Sequence, residues 1–114
     1  MARYWKAVCA LNDATLVPAK AAVTGRTHAV TKVVTIITTH ANAKVIKVQD
    51  SADTPVVLFQ QHDLTKAAGV PDMVEINYGT PTQGGFAGTV SKAINAVSES
   101  SGPAGKVFIE GYTY

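Results

Sequence analysis

The chain has 114 residues, a net charge of +2, 46% hydrophobic residues and 16% charged residues. This length fits a single domain over residues 1–114, which is large enough to bury a stable core without disulfides or metals. The ten Lys and Arg residues are scattered along the sequence, so we expect no nucleic-acid-binding surface. No stretch reaches the length of a membrane span, and no signal peptide is apparent, so we expect no membrane partner.

The charged share is well below the usual value of about a quarter. Assembly into an oligomer or a larger particle would explain it, and so would a surface rich in Thr, Ser and Asn. Composition alone does not choose between the two. Cys9 is the only cysteine, so it forms no internal disulfide, and its setting in "KAVCAL" predicts a small buried side chain.

Short β-rich segments follow one another, separated by turn formers. "ARYWKAVCAL" predicts the first strand, and "TLVPA" predicts a second that Pro18 confines to a sheet edge or a strand end. Further strands are predicted at "KVIKVQD", "PVVLFQQ", "DMVEINYG" and "KVFIEGYTY". "FAGTVSKAINAVSES" also fits a helical stripe, but its Gly, Thr and Ser content favours extended structure. "HDLTKAAGVP" predicts one short helical turn from Leu64 to Ala68.

The segment from Val30 to Thr39 predicts the strongest strand, because nearly every residue in it is β-branched. Its two faces both carry apolar side chains. We predict that Val34 and Ile36 belong to the core. Val33 and Ile37, set among threonines, are then predicted to meet a neighbouring subunit or to lie under a long loop. On this assignment Ile36→Asp would abolish folding, whereas Ile37→Asp would weaken assembly only.

Together these segments give about eight short strands at the regular spacing of a β-sandwich or barrel. Strands do not alternate with helices, which disfavours a parallel α/β sheet. The sequence therefore predicts an all-β, antiparallel fold with one short helical turn.

Loops near strand ends hold several polar side chains. His40 and His62 lack the closely spaced ligand pairs typical of zinc sites, and "QDSADT" lacks the spacing and glycine of a calcium loop. We interpret the histidines as ordinary hydrogen-bonding residues and the aspartates as turn residues that bond to their own backbone. Motifs for paired carboxylates, phosphate loops and nucleophile elbows are also missing. The sequence thus predicts no catalytic residue, no metal site, no cofactor and no enzyme activity.

One resemblance covers most of the chain, from Asn12 to Tyr114. The stretch "NDATLVPAKAAVTGRTHAVTKVVTIITTHANAKVIKVQDSADTPVV" and the close "SSGPAGKVFIEGYTY" resemble small β-sandwich virion proteins of tailed bacteriophages. The shared features are strand patterns, in which a Val-Pro step leads through a Gly turn to a Val/Ile/Thr-rich strand. The segments "MARYWKAVCAL" and "HDLTKAAGVPDM" are less typical of that group.

The resemblance implies a non-catalytic structural protein, foremost a capsid decoration (cement) protein with a jelly-roll-like sandwich. It implies a homotrimer that binds a major capsid protein on the virion surface after synthesis in the host cytoplasm. Two alternatives remain open at this stage. One is a neck, tail or head-fibre component, and the other is a carbohydrate-binding sandwich with an exposed platform formed by Tyr78 beside His62 and Asp63.

The aromatic residues near the chain ends are further candidates for subunit or capsid contacts, together with Val33 and Ile37. These aromatic candidates are Tyr4, Trp5, Tyr112 and Tyr114. Ordinary core packing or cross-strand pairing between the terminal strands accounts for them equally well.

Overall fold

The computed structural model describes residues 3–11, 16–40, 44–63, 70–79, 86–98 and 103–114. Within these ranges the regular secondary structure is entirely β, as predicted, and no helix there is long and apolar enough to cross a membrane. The strands are β1 (Arg3–Leu11), β2 (Leu16–Lys20), β3 (His28–Thr39), β4 (Val45–Asp50), β5 (Val57–His62), β6 (Asp72–Asn77), β7 (Phe86–Ala87), β8 (Ile94–Ser98) and β9 (Ala104–Thr113). The predicted helical turn over residues 64–68 lies outside the described residues.

The strands form two antiparallel sheets. The first has the order β1-β9-β3-β6, with β7 paired to β3, and the second has the order β2-β8-β4-β5. Apart from β7 the pairs are nested, since β1 pairs with β9, β2 with β8, β3 with β6 and β4 with β5. This order is that of a long hairpin rolled into two packed sheets, the jelly roll. The predicted jelly-roll-like antiparallel sandwich is confirmed.

The core lies between the two sheets, where alternate side chains of the strands point inwards. The first sheet and the second sheet contribute similar sets of small and medium apolar residues. The fully buried members include Cys9, Val33, Ile37, Val107, Ile109, Ile46, Val48, Leu58, Ile94 and Ala96. Burial raises the pKa of the Cys9 thiol, and the prediction that Cys9 is a small buried residue is confirmed.

The predicted assignment of the two faces of β3 is wrong. Val33 and Ile37 are 0% exposed and belong to the core, so they are not at a subunit surface. Val34 and Ile36 are only half-buried and lie on the side of the sheet that faces away from the core. The candidate interface role of Val33 and Ile37 is therefore corrected.

The physical reason for this assignment is Lys32, which shares the face of Val34 and Ile36. Its ammonium group needs water or carboxylate partners, and it lies 2.9 Å from Glu75 Oε1 on the outer side of the sheet. The inner face tolerates its threonines because their hydroxyls are satisfied. Thr35 Oγ1 donates to Gln61 Oε1 at 2.7 Å, across the sandwich. Apolar content is similar on both faces, so the single lysine decides the orientation.

Asp50, at the end of β4, anchors the turn that follows. Its buried carboxylate accepts hydrogen bonds from the backbone N–H groups of Ala52 and Val56 and from both the N–H and the hydroxyl of Thr89. Burial by itself raises the pKa of Asp50, but these hydrogen bonds outweigh it and hold the pKa below its usual value. The bonds to the following turn confirm the predicted turn role of this aspartate.

Pro18 lies in β2, which is an edge strand of the second sheet. The pairing of β2 with β8 shifts register between Pro18 and Lys20. An edge position suits proline because it has no N–H to donate to a neighbouring strand. The prediction that Pro18 marks a sheet edge or strand end is confirmed.

Candidate interaction surface

The outer face of the first sheet carries an exposed cluster of apolar side chains. Val8, Phe108 and Val34 are directly paired across β1, β9 and β3, and Ile36 is paired with Met73 across β3 and β6. Val8 is 60% exposed and Met73 is 67% exposed. We call these five residues the outer patch. Such a contiguous patch on four neighbouring strands is typical of an interaction surface rather than of scattered surface apolar residues.

A row of charged residues runs beside the outer patch. Lys6, Glu110 and Lys32 face one another across β1, β9 and β3. Glu110 contacts Lys6 at 3.6 Å and Lys32 at 3.8 Å, and Lys32 also contacts Glu75 at 2.9 Å. Because these charges are paired, the row makes this part of the surface polar without producing a strong electrostatic field of one sign.

Three tyrosines lie at the end of this face. Tyr4 and Tyr112 are a cross-strand pair with ring centroids 6.4 Å apart, and Tyr114 packs on Tyr112 at 5.5 Å. Tyr112 is therefore only 8% exposed, whereas Tyr4 is 71% exposed. The cross-strand pairing considered for the aromatic residues is present, and it leaves Tyr4 and Tyr114 available at the surface.

Trp5 differs from the tyrosines because its side chain lies against the core. It packs edge-on against His28, with ring centroids 6.0 Å apart. Gly111, its partner on β9, leaves room for the indole, since a Cβ atom there would overlap the Trp5 ring. Of the four predicted aromatic candidates, Tyr4 and Tyr114 are thus exposed, Tyr112 is covered, and Trp5 packs against the core.

The outer face of the second sheet carries both polar and apolar side chains, and Val97 pairs with Lys47 and Leu16 on that face. Its outward positions on β4 and β5 include Lys47, Gln60 and His62, and Gln60 and His62 contact each other at 3.2 Å. Leu16 adds an exposed apolar side chain on the edge strand β2. The first sheet carries the more exposed large apolar side chains, Tyr4, Val8 and Met73, and is therefore the candidate interaction surface.

The sequence prediction missed three members of the outer patch, namely Val8, Met73 and Phe108. A signal for them is present, since each occupies the face shared with a charged residue two positions away in its own strand. Lys6, Glu75 and Glu110 are those charged residues. In each of these strands, the face that holds the charged residue is the outer face. The same rule assigns Val34 and Ile36 to the outer face, because Lys32 lies on their side of β3.

The histidine at the end of β3 makes ordinary hydrogen bonds, as predicted. His40 Nδ1 lies 3.0 Å from Asp63 Oδ1, and its Nε2 donates to the carbonyl of Val70 at 2.6 Å. The side chains of His40 and Asp63 are both fully buried. Within the described ranges, no group of three or more His, Cys, Asp or Glu side chains is arranged to hold a metal ion.

The structure does not form the predicted carbohydrate platform. The Tyr78 hydroxyl donates to the carbonyl of Leu58 at 2.6 Å, its ring packs edge-on against Phe86, and its side chain is half-buried. Asp63 is buried against His40. Tyr78 therefore joins the two sheets, and that hypothesis for this group of residues is wrong.

His28 is a buried histidine whose stability contribution depends on pH. Its Nε2 donates to the carbonyl of Ala21 at 2.8 Å, so in the neutral ring Nδ1 accepts from the hydroxyl of Thr113 at 2.7 Å. Burial lowers the pKa of His28, and Lys20 lowers it further, against the opposite effect of the Ala21 bond. The unfolded chain then binds the proton more readily, so stability is present above about pH 6.5 and is lost as the pH falls below it.

We expect the melting temperature to fall between pH 7.5 and pH 5, and His28→Gln to reduce that fall because it removes the titrating group. The control is His62→Gln, which makes the same change at an exposed position. Thermal melts of the three proteins at both pH values test this. An unchanged pH dependence in His28→Gln would contradict the assignment.

The strand order and the outer patch define the class of protein as a jelly-roll sandwich whose first sheet carries an apolar patch beside paired charges. No family model matches the sequence, and neither does any curated protein. Among solved structures, the chain is similar to one from the infectious bursal disease virus Gx strain at 12% identity and a TM-score of 0.45, covering 98% of this chain and 32% of that chain.

A structure from the Gt strain of the same virus is similar at 12% identity and a TM-score of 0.40, with 96% of this chain and 32% of that chain covered. This chain therefore spans about a third of the length of the viral chains it matches. A likeness this distant says nothing about what the chain binds.

Proposed function

We propose that this chain is a non-catalytic structural component of a bacteriophage virion, and specifically a decoration protein that binds the major capsid shell as a homotrimer. Residues 1–114 act as one sandwich domain in this proposal. The observation that carries it is the outer patch, which presents apolar side chains away from the core on four neighbouring strands. The resemblance of the strand patterns to small phage virion proteins supports the same class.

The outer face suits protein contacts in its size and composition. The broad side of the sandwich measures 45 by 27 Å, which has room for the roughly 800 Å² that each partner contributes to a standard interface. An apolar centre beside paired charges and exposed tyrosines matches the anatomy of such interfaces. Tyr4 and Tyr114 extend the contact surface at one end, and their role as contact residues is part of the proposal.

Repetition strengthens contacts of modest affinity. A trimer that touches a shell at three equivalent places gains avidity, because the second and third contacts form at high effective concentration. A decoration protein therefore needs an exposed patch and not a deep cleft.

Val8→Lys is expected to weaken both self-association and shell binding, by about tenfold or more, because it places a charge among the apolar side chains of the contact. Leu16→Lys is the matched control. Leu16 is 51% exposed, on the edge strand of the other sheet, and its replacement is expected to leave both properties unchanged. Light scattering during size-exclusion chromatography measures the oligomer, and co-sedimentation with shells of the corresponding major capsid protein measures binding.

Wild-type protein that stays monomeric at high concentration would contradict the preformed trimer, and wild-type protein that fails to co-sediment would contradict the decoration role. Electron microscopy of complete particles separates the remaining virion positions. Density for the chain at a single vertex would exclude shell decoration and support a neck, tail or fibre position. Equal effects of the two lysine variants would show that the outer patch is not the contact surface.

A further inference from the structure

One end of the sandwich contains a cavity of about 750 Å³, beyond the outer patch. Its walls come from the beginning of β1, the end of β2, the connection from β2 to β3, and the end of β9. The lining residues are Arg3, Tyr4, Trp5, Lys20, Val23, Arg26 and Thr113. This volume falls in the range of about 300–1,000 Å³ found for small-molecule sites.

The cavity concentrates positive charge. Arg3, Lys20 and Arg26 are distant in sequence, yet the fold brings all three to this lining, which includes no Asp or Glu. None of the three takes part in an ion pair with another described residue. Guanidinium groups match the geometry of carboxylates and phosphates, which they bind through two parallel hydrogen bonds. The charge of the lining therefore favours an anionic ligand.

Aromatic side chains form another part of the lining. Tyr4 is largely exposed, and the Trp5 indole is held in place by His28 and Gly111. The Nε1–H group of Trp5 is buried and has no hydrogen-bond partner among the described residues. Aromatic walls beside cations suit a ligand that joins a ring to an anionic group, because rings pack on aromatic surfaces.

Hydrogen bonds connect the backbone segments that form the walls. His28 bonds to Ala21 on one wall and to Thr113 on another. In the turn that carries Arg26, the backbone carbonyl of Arg26 accepts from the N–H of Ser91 at 2.8 Å, and Gly25 N–H donates to the Ser91 hydroxyl at 2.8 Å. A site whose backbone is already ordered loses little conformational entropy on binding.

We infer that this cavity binds a small anionic ligand in which a carboxylate or phosphate group is attached to a ring. The anionic group contacts Arg3, Lys20 and Arg26, and the ring packs against Trp5. Acidic sugars and nucleotides share this chemistry. The inference does not rest on the proposed virion role, since the outer patch takes no part in it.

The test is a titration of the full chain with glucuronate and with adenosine monophosphate, each beside its uncharged counterpart, glucose or adenosine. Trp5 is the only tryptophan, so its fluorescence reports on the lining directly, and calorimetry provides an independent signal. Saturable binding of glucuronate identifies an acidic-sugar site, and saturable binding of adenosine monophosphate identifies a nucleotide site. Absence of both signals for both anions, or equal binding of the uncharged counterparts, would overturn the inference.

Matched variants locate the binding. Arg26→Gln is expected to weaken anion binding by about tenfold or more, because it removes a charged hydrogen-bond donor. Lys106→Gln removes an exposed cation at the opposite end of β9 and is expected to leave affinity unchanged. Equal weakening by both variants would show a general charge effect and overturn the site. Arg26→Gln is also expected to leave shell binding unchanged, which separates this test from that of the proposed function.

Discussion

Ile37→Asp is expected to abolish cooperative folding. Ile37 is fully buried in the core between the two sheets, and truncating such a residue alone costs about 2–5 kcal/mol. A carboxylate at this position would also be buried without a partner, which adds a further large cost. The sum is comparable to the whole stability of a typical domain, about 5–15 kcal/mol. Thermal unfolding monitored by circular dichroism is expected to show no cooperative transition.

Ile36→Asp is the matched comparison, because it makes the same chemical change one residue away. Ile36 is half-buried on the outer face and paired with Lys106 on β9, so the new carboxylate reaches water and lies opposite a lysine. We expect a loss of about 1 kcal/mol or less in the free energy of unfolding, together with weaker self-association. A cooperative melt for Ile37→Asp and none for Ile36→Asp would reverse the two faces of β3.

Asp50→Ala is expected to cost about 3 kcal/mol or more in the free energy of unfolding. The Asp50 carboxylate accepts from Thr89 N–H at 2.8 Å, Thr89 Oγ1 at 2.6 Å, Val56 N–H at 3.0 Å and Ala52 N–H at 3.2 Å. Hydrogen bonds to a charged group are worth more than neutral ones, and their loss leaves several donors unsatisfied. Urea denaturation measures the change. Asp53→Ala, at an exposed position in the same turn, is the control and is expected to change stability by about 0.5 kcal/mol or less.

The same carboxylate is expected to give an acid-dependent loss of stability. Its pKa is held below the usual value of 3.8, so the folded state binds this proton less readily than the unfolded state does. The contribution is fully present above pH 3.8 and is lost as the pH falls through the folded-state pKa. In Asp50→Asn this loss is expected to disappear. Asp53→Asn is expected to retain it, and a wild-type acid dependence in Asp50→Asn would contradict the role given to Asp50.

Features determined by short stretches of sequence were predictable. The β-branched run from Val30 to Thr39 forms most of the longest strand, β3, because branched side chains fit a pleated sheet. Pro18 marked an edge strand, and Asp50 bonds to the backbone that follows it. The part that was predicted depends on residues near in the sequence, whereas the two bonds from Thr89 to Asp50 depend on the fold.

Features determined by topology were not predictable in the same way. The orientation of β3 has one signal in its own strand, Lys32, but the partners of Lys32 on β6 and β9 are known only once the strand order is known. Likewise, Arg3 begins β1 and Arg26 lies in the connection just before β3, and the two meet because both strands pair with β9. Charges that are scattered along a sequence can therefore lie close together on the folded surface.

The nested strand order also determines at which stage of folding the outer patch forms. β9 follows every other strand in the chain, yet it lies between β1 and β3 in the first sheet. Until it inserts, these strands lack their shared neighbour, and closing such distant contacts is a slow step in folding. β9 also supplies Phe108 and Glu110 to the outer face. A partly folded chain therefore does not present the complete outer patch.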